Sequence, residues 1–302
     1  MPKQKEESMY LKFIDETLEL TKRIPRYFSK FSNKIFDNHQ KLVLLVLKQK
    51  LRKTYRDFVE LLKITCIPLY LGLKRIPEHT TLVKFAKKVK GMLSLLLNIR
   101  TATNVAVDAT GFEIDTKSYY YRNIWNSDVK QKAKRYLKLS LSVDTDKLFI
   151  LGYKMRKKFR HDTIDFESVL KDIKTDYVFA DKGYDSKKNR QFVKSKLNAI
   201  PIIPVRMHTN FYGYLKQHKK IDGSNYHQRS KVETIFSMIK RKYGCTLLGK
   251  SDSSQKTELE IKLIVHNIDR LIKSVYHLLE GFSRAAFNIE GEVIKNSFEI
   301  IR

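Results

Sequence analysis

Apolar residues change their spacing once along this chain, and the change divides it. Through the first hundred residues they recur at helical intervals. Leu42 to Leu51 reads as an apolar helix, and Thr54 stands where an N-cap belongs for a second helix over 55–62. Pro68, Gly72 and Pro77 then interrupt the pattern. Thr80 or His79 caps a third helix over 81–90, with Leu82, Phe85, Ala86 and Val89 inward and Lys84, Lys87, Lys88 and Lys90 outward. Helix, turn and basic helix in this order fit a helix-turn-helix that lays Lys84, Lys87 and Lys88 against DNA. They fit a plain helical bundle as well.

From about residue 103 the interval shortens. Asn104 to Asp108 is a short apolar strand that Gly111 closes. Leu137, Leu139, Leu141 and Val143 alternate strictly, which predicts a half-buried strand. A turn over 144–147 and a second strand over 149–155 make residues 135–156 a hairpin. Next come a helix over 163–173, a strand over 177–181, a basic helix over 185–197 and a proline-marked edge strand over 199–205. A polar loop over 207–225 leads to a helix opening at Tyr226, and a long helix from Leu259 to Leu279 follows. The expected class is α/β: a mixed sheet flanked by helices, preceded by a small all-α domain. The expected division is 1–100, 101–280 and a tail over 281–302.

Charge narrows the partner. The 302 residues carry 60 Lys and Arg against 32 Asp and Glu, a formal net charge of +28. Lysine-rich composition accounts for part of this, and the excess still favours nucleic acid. Cys66 and Cys245 are far apart, so neither a disulfide framework nor a zinc knuckle is expected, and a reducing cytosol fits. No apolar run reaches the roughly 18 residues of a membrane span, and the start lacks a signal peptide's apolar core. The expectation is a soluble, cytoplasmic, nucleoid-associated protein with no membrane partner. Residues 117–136 are basic and aromatic and include Trp125; they suit a phosphate backbone with stacked bases, or a hairpin with a charged face.

The candidate chemistry lies at two strand ends and on one helix. Asp108 and Asp181 each end an apolar strand, with Gly111 and Gly183 close behind. On the later helix, Tyr226, Arg229, Glu233 and Lys240 fall within an arc of roughly 60°. Val232, Ile235, Phe236 and Ile239 form the neighbouring face that packs on a sheet. Each feature alone is ordinary, since a strand-ending Asp often opens a turn and Arg-Glu pairs at i, i+4 are common. Together they describe carboxylates converging on one cleft, an oxygen-rich pocket suited to Mg²⁺ or Mn²⁺. Two such ions about 3.5–4 Å apart serve phosphodiester cleavage. Asp162, beside His161, fits a helix cap or a partner behind the site, and the cap is the favoured reading; His227 points off the stripe and is read as structural or solvent-exposed.

Tyr226-x2-Arg229-x3-Glu233-x6-Lys240, with residues 107–111 and 179–184, resembles the DDE-class insertion-sequence transposases with a ribonuclease-H-like core. Within that class it is similar to the prokaryotic group marked by this Tyr-Arg-Glu-Lys signature. Residues 77–82 and 266–271 look like segments flanking that core, and the resemblance covers roughly 40–275. It implies that Asp108, Asp181 and Glu233 are catalytic and bind two Mg²⁺ or Mn²⁺ ions. Arg229 and Lys240 would hold DNA phosphates, and Tyr226 the backbone or terminal nucleotide. The implied reaction is hydrolysis at a transposon end, then attack of the freed 3′-hydroxyl on target DNA, with no covalent protein–DNA intermediate. Implied partners are double-stranded DNA, as terminal inverted repeats and as target, and a second copy of the chain at synapsis. The interval between Asp181 and Glu233 is too short for the β-rich insertion of some relatives, so their hairpin route is not implied. Trp125 lies outside that interval and is assigned to packing. Two rivals are a ribonuclease-H-like nuclease without strand transfer and an inactive or domesticated DNA-binding protein.

Overall fold

The computed structural model of the protein describes residues 8–114, 136–157, 160–205 and 227–299. The N-terminal part is helical: α1 (Met9–Thr21), α2 (Asn38–Lys50), α3 (Tyr55–Lys63), the short α4 (Ile67–Tyr70) and α5 (His79–Val89), followed by a 3₁₀ segment, Lys90–Leu97. α2 starts before its apolar run because Asp37 and Gln40 form a reciprocal cap, each side chain accepting from the other's backbone N–H. Leu42 to Leu47 are all buried, so α2 has no wet face over that stretch. Thr54 caps α3 as expected, accepting from the Asp57 N–H at 3.2 Å. Neither His79 nor Thr80 caps α5; Glu78 holds that position without a side-chain bond. The inward residues of α5 are those predicted.

The second part is a six-stranded sheet with its helices. In chain order these are β1 (Asn104–Ile114), β2 (Tyr136–Asp144), β3 (Ile150–Arg156), α6 (Phe166–Leu170), β4 (Tyr177–Ala180), α7 (Lys187–Lys196), β5 (Ile200–Ile202), α8 (Ser230–Tyr243), β6 (Thr246–Leu247) and α9 (Asp252–Glu299). Strand order is β3-β2-β1-β4-β5, with β6 beside the far end of β1. β1, β2 and β3 are antiparallel, whereas β4, β5 and β6 run parallel to their neighbours. This is the expected ribonuclease-H-like mixed sheet, with the proline-marked strand at its edge.

Two strand expectations and one helix expectation are corrected. β1 does not stop at Gly111, which pairs with Lys138 inside the ladder. β2 is not half-buried: Lys138, Ser140 and Ser142 on its polar face are buried too. α6 covers that face, and Ser142 donates to the Val169 carbonyl while Ser140 donates to Asp165. The predicted helix over 163–173 is a 3₁₀ turn, Asp162–Ile164, and then the shorter α6.

Alternation along the strands assigns their faces. Val105, Val107, Val178 and Ala180 pack with α6 and α7. Ala106, Phe112, Leu139 and Phe179 join the larger core with α8, α9 and the N-terminal helices. The N-terminal helices and one sheet face therefore share a continuous apolar cluster. α9 runs unbroken through the segment expected to be a tail. No helix among the described residues is long and apolar enough to cross a membrane.

Candidate active site

A gap in the sheet makes the cleft. β4 pairs with β1 only as far as Val107↔Ala180, and β6 joins at Glu113↔Thr246. Between them that edge of β1 has no strand partner among the described residues. Asp108 and Asp181 are the first residues past the last β1–β4 pair. Neighbouring strands lie about 4.8 Å apart, so the two aspartates emerge side by side. Their positions, two beyond Ala106 and Phe179, put both on the face covered by α8. Each is held by the backbone that follows: Asp108 Oδ1 accepts from the Ala109 N–H at 2.8 Å, and Asp181 Oδ1 from the Lys182 N–H at 2.7 Å.

α8 supplies the opposite wall. Val232, Ile235, Phe236, Ile239 and Tyr243 are its buried face, the stripe predicted extended by one residue. Arg229 belongs to a 3₁₀ turn, His227–Arg229, that precedes the α-helix. The i, i+4 relation survives: Arg229 Nη2 lies 3.0 Å from Glu233 Oε1, and its Nη1 lies 3.8 Å from Asp108 Oδ2. Further along β1, Lys240 Nζ donates to Thr110 Oγ1 at 2.8 Å and stands 5.4 Å from the Phe112 ring centroid. Asp108, Arg229 and Glu233 thus stand together, with Asp181 beside Asp108 and Lys240 farther along β1. Tyr226 lies outside the described residues, as do 115–135 with Trp125 and the loop over 207–225 up to the helix. Lys84, Lys87 and Lys88 are exposed on α5, a separate surface.

Burial pushes the Asp108 carboxyl up to about 6; Glu233 and Asp181 push the same way, against the Ala109 N–H and Arg229. Among the described residues no three His, Cys, Asp or Glu side chains are gathered closely enough to hold a metal ion. Instead the Arg229 guanidinium stands between Asp108 and Glu233, giving both carboxylates a cationic neighbour. The donors fit a hard divalent cation in kind: all are carboxylate oxygens, and burial leaves Asp108 short of positive charge.

Several structural contacts were hidden from the sequence. Asp162 does not cap; it pairs with Lys138, and His161 caps the turn through Nδ1. Buried Asp165 pairs with Arg156. Residues 266–270 tie α9 to the sheet and to α8. His266 Nε2 bonds the Leu148 carbonyl, Asn267 bonds both backbone groups of Ile150, and Arg270 donates to the Lys147 carbonyl. Asp269 receives the Tyr243 hydroxyl at 2.6 Å and pairs with Lys50. The run of polar residues in 266–270 was the available signal.

Residues 100–268 match the family model described as the transposase DDE domain. No curated protein sequence matches the chain. Among solved structures it is similar to the cryo-EM structure of a piggyBac transposase synaptic complex with hairpin DNA. The identity is 11% and the TM-score 0.49, over 88% of this chain and 74% of that one.

Proposed function

The chain belongs to the DDE-domain transposases, and from that premise we propose that it cuts the ends of a mobile DNA element by metal-assisted hydrolysis and joins the 3′-hydroxyls to target DNA. The observation that carries this reading is the facing of Asp108, beside Asp181 at the break in the sheet, by Arg229 on the 3₁₀ turn, which also pairs with Glu233 on α8. Asp108, Asp181 and Glu233 would hold Mg²⁺ or Mn²⁺, two ions in all. Bound there, the cations supply Lewis acidity at the scissile phosphate and a more acidic water. Arg229 and Lys240 bring positive charge to the lip of the carboxylate pocket and hold DNA phosphates beside it. Tyr226, the residue preceding that turn, contacts the DNA backbone or terminal nucleotide. Residues 1–100 read the duplex, with Lys84, Lys87 and Lys88 toward it, and two copies of the chain bring two ends together.

The test uses the purified chain, Mg²⁺ and duplexes carrying the inverted repeats that bracket its reading frame. Wild type nicks these ends, and precut ends are joined to a target plasmid. Asp108→Asn removes a metal-binding oxygen without adding negative charge, so end binding stays within a few-fold while cleavage falls. Losing several kcal/mol of transition-state stabilisation corresponds to about 10³-fold. Cleavage without joining of precut ends identifies the nuclease instead. Binding with no Mg²⁺-dependent cut identifies an inactive DNA-binding protein. Full activity in Asp108→Asn refutes the site.

A further inference from the structure

A cavity of about 430 Å³ lies where the N-terminal helices meet the sheet, between the α2–α3 junction, α5, the end of α8 with β6, and α9. None of the residues lining it belongs to the carboxylate site. Leu45, Val83, Ala86 and Ile261 give it an apolar wall, and Lys48, Arg52 and Lys262 bring charge to it. Glu258 is the one acid lining it among the described residues, and it is engaged. Its Oε2 accepts from the Leu248 and Gly249 N–H groups, and its Oε1 lies 3.4 Å from Lys262 Nζ. Lys262, 1% exposed, also donates to the Gly244 and Thr246 carbonyls. Glu258 and Lys262 therefore answer each other, and Lys48 and Arg52 are left in excess.

Lys48 is half-buried, and its ammonium stands 4.3 Å from the Tyr55 ring centroid with no hydrogen-bond acceptor among the described residues. Burial lowers its hold on the proton; Glu258 opposes the shift and Lys262 adds to it. A cation drawn out of water is costly unless an anion meets it. Arg52 carries strain of another kind. It follows the last turn of α2, where the Arg52 and Lys53 N–H groups bond back to the Gln49 and Lys48 carbonyls, and its φ is 54°. Glycine suits that place, and a residue with a Cβ is strained there. The guanidinium comes to lie over Gly244, where an added Cβ would be 3.8 Å from Arg52 Nη2 and 3.8 Å from Lys262 Nζ. Strain retained where it delivers a charge to a cavity points to function. Thr257, 3% exposed, lines the same cavity, and its hydroxyl has no partner among the described residues.

We propose that this cavity binds a nucleotide: Lys48 and Arg52 take the phosphate, and the base lies on the apolar wall with the Thr257 hydroxyl as a partner for its polar edge. A free mononucleotide and a single nucleotide of a DNA strand both carry that chemistry. Neither needs the carboxylates, so the proposal stands or falls apart from the metal-site reading.

Cys245 is exposed and lines the cavity, which makes it the reporter. The chain has two cysteines, so in a Cys66→Ser background N-ethylmaleimide reads Cys245 alone. Labelling rates are measured on the full chain with 2′-deoxyadenosine monophosphate, a single-stranded oligonucleotide or inorganic phosphate. One or both nucleotide probes are expected to slow labelling, and the one that protects at lower concentration identifies the source. Lys48→Met and Arg52→Gly should each raise the half-protecting concentration about tenfold, the loss of a charge-assisted hydrogen bond. Arg52→Gly also relieves the left-handed strain, so its melting temperature should stay level or rise, and it serves alone if Lys48→Met does not fold. Labelling unchanged by both nucleotide probes overturns the proposal. So does protection by inorganic phosphate as good as theirs, or nucleotide protection undiminished in Arg52→Gly.

Discussion

Asp108 sets stability against chemistry. Its carboxyl titrates near 6 in the fold against 3.8 unperturbed, mainly because it is buried. The fold therefore favours the protonated form. That contribution is fully present below the unperturbed value and is lost as pH rises through 6. Near pH 7.5 the ionised group destabilises the metal-free protein by an amount on the order of 1–3 kcal/mol. Asp108→Asn should therefore raise the metal-free melting temperature by about 2–6 °C at pH 7.5 and hardly at all at pH 3.5. Scanning calorimetry at both values checks this, and a lowered melting temperature at pH 7.5 contradicts it. At this scale the sequence was legible wherever residues share one element. The Arg229–Glu233 pair follows from i, i+4 spacing alone. Asp162 was misjudged because its partner, Lys138, comes from a strand that sequence proximity does not reveal.

Elements were legible where their apolar period was unambiguous, and misjudged where a neighbour overrode it. β2 alternates leucines with polar residues, the mark of a strand wet on one side, yet α6 and its N-cap Asp165 cover that side, Asp165 accepting from Ser140 and the Val169 carbonyl from Ser142. The closeness of α6 and β3 depends on Gly152. A Cβ there would sit 2.1 Å from the Val169 carbonyl oxygen and 2.8 Å from Ser142 Oγ. Backbone cannot yield as a flexible side chain can, so Gly152→Ala should destabilise by about 3 kcal/mol. A urea midpoint equal to wild type would show that α6 moves freely.

At the scale of the whole molecule, α9 joins the parts. Its residues contribute to the core shared by the N-terminal helices and the sheet, and His266 is buried at that junction. Burial holds the His266 imidazole down at about 4, against 6.5 unperturbed; the Leu148 carbonyl opposes the shift. Between those values the unfolded chain binds more protons than the fold. The contribution is present above 6.5 and lost as pH falls through 4, on the order of 3 kcal/mol. Asp108 acts in the opposite sense below 6, so the Asp108→Asn background removes that opposing contribution. There, urea midpoints should drop between pH 7 and 4.5, and His266→Gln should flatten the drop. The charge of +28 predicts a second whole-molecule property. DNA binding should weaken steeply with salt, log K falling by about 0.9 per decade of salt for each phosphate neutralised; a flat salt response would exclude backbone contact as the main attraction. By itself the sequence determined the order of helices and strands, the excess of positive charge and the three acidic candidates, because periodicity and motif spacing are local properties of a chain. Only the tertiary structure decided that β4 ends at Ala180 and leaves β1 open, and that Arg229 stands between two carboxylates. Those facts depend on the register of strands far apart in the chain, and no local pattern encodes that register.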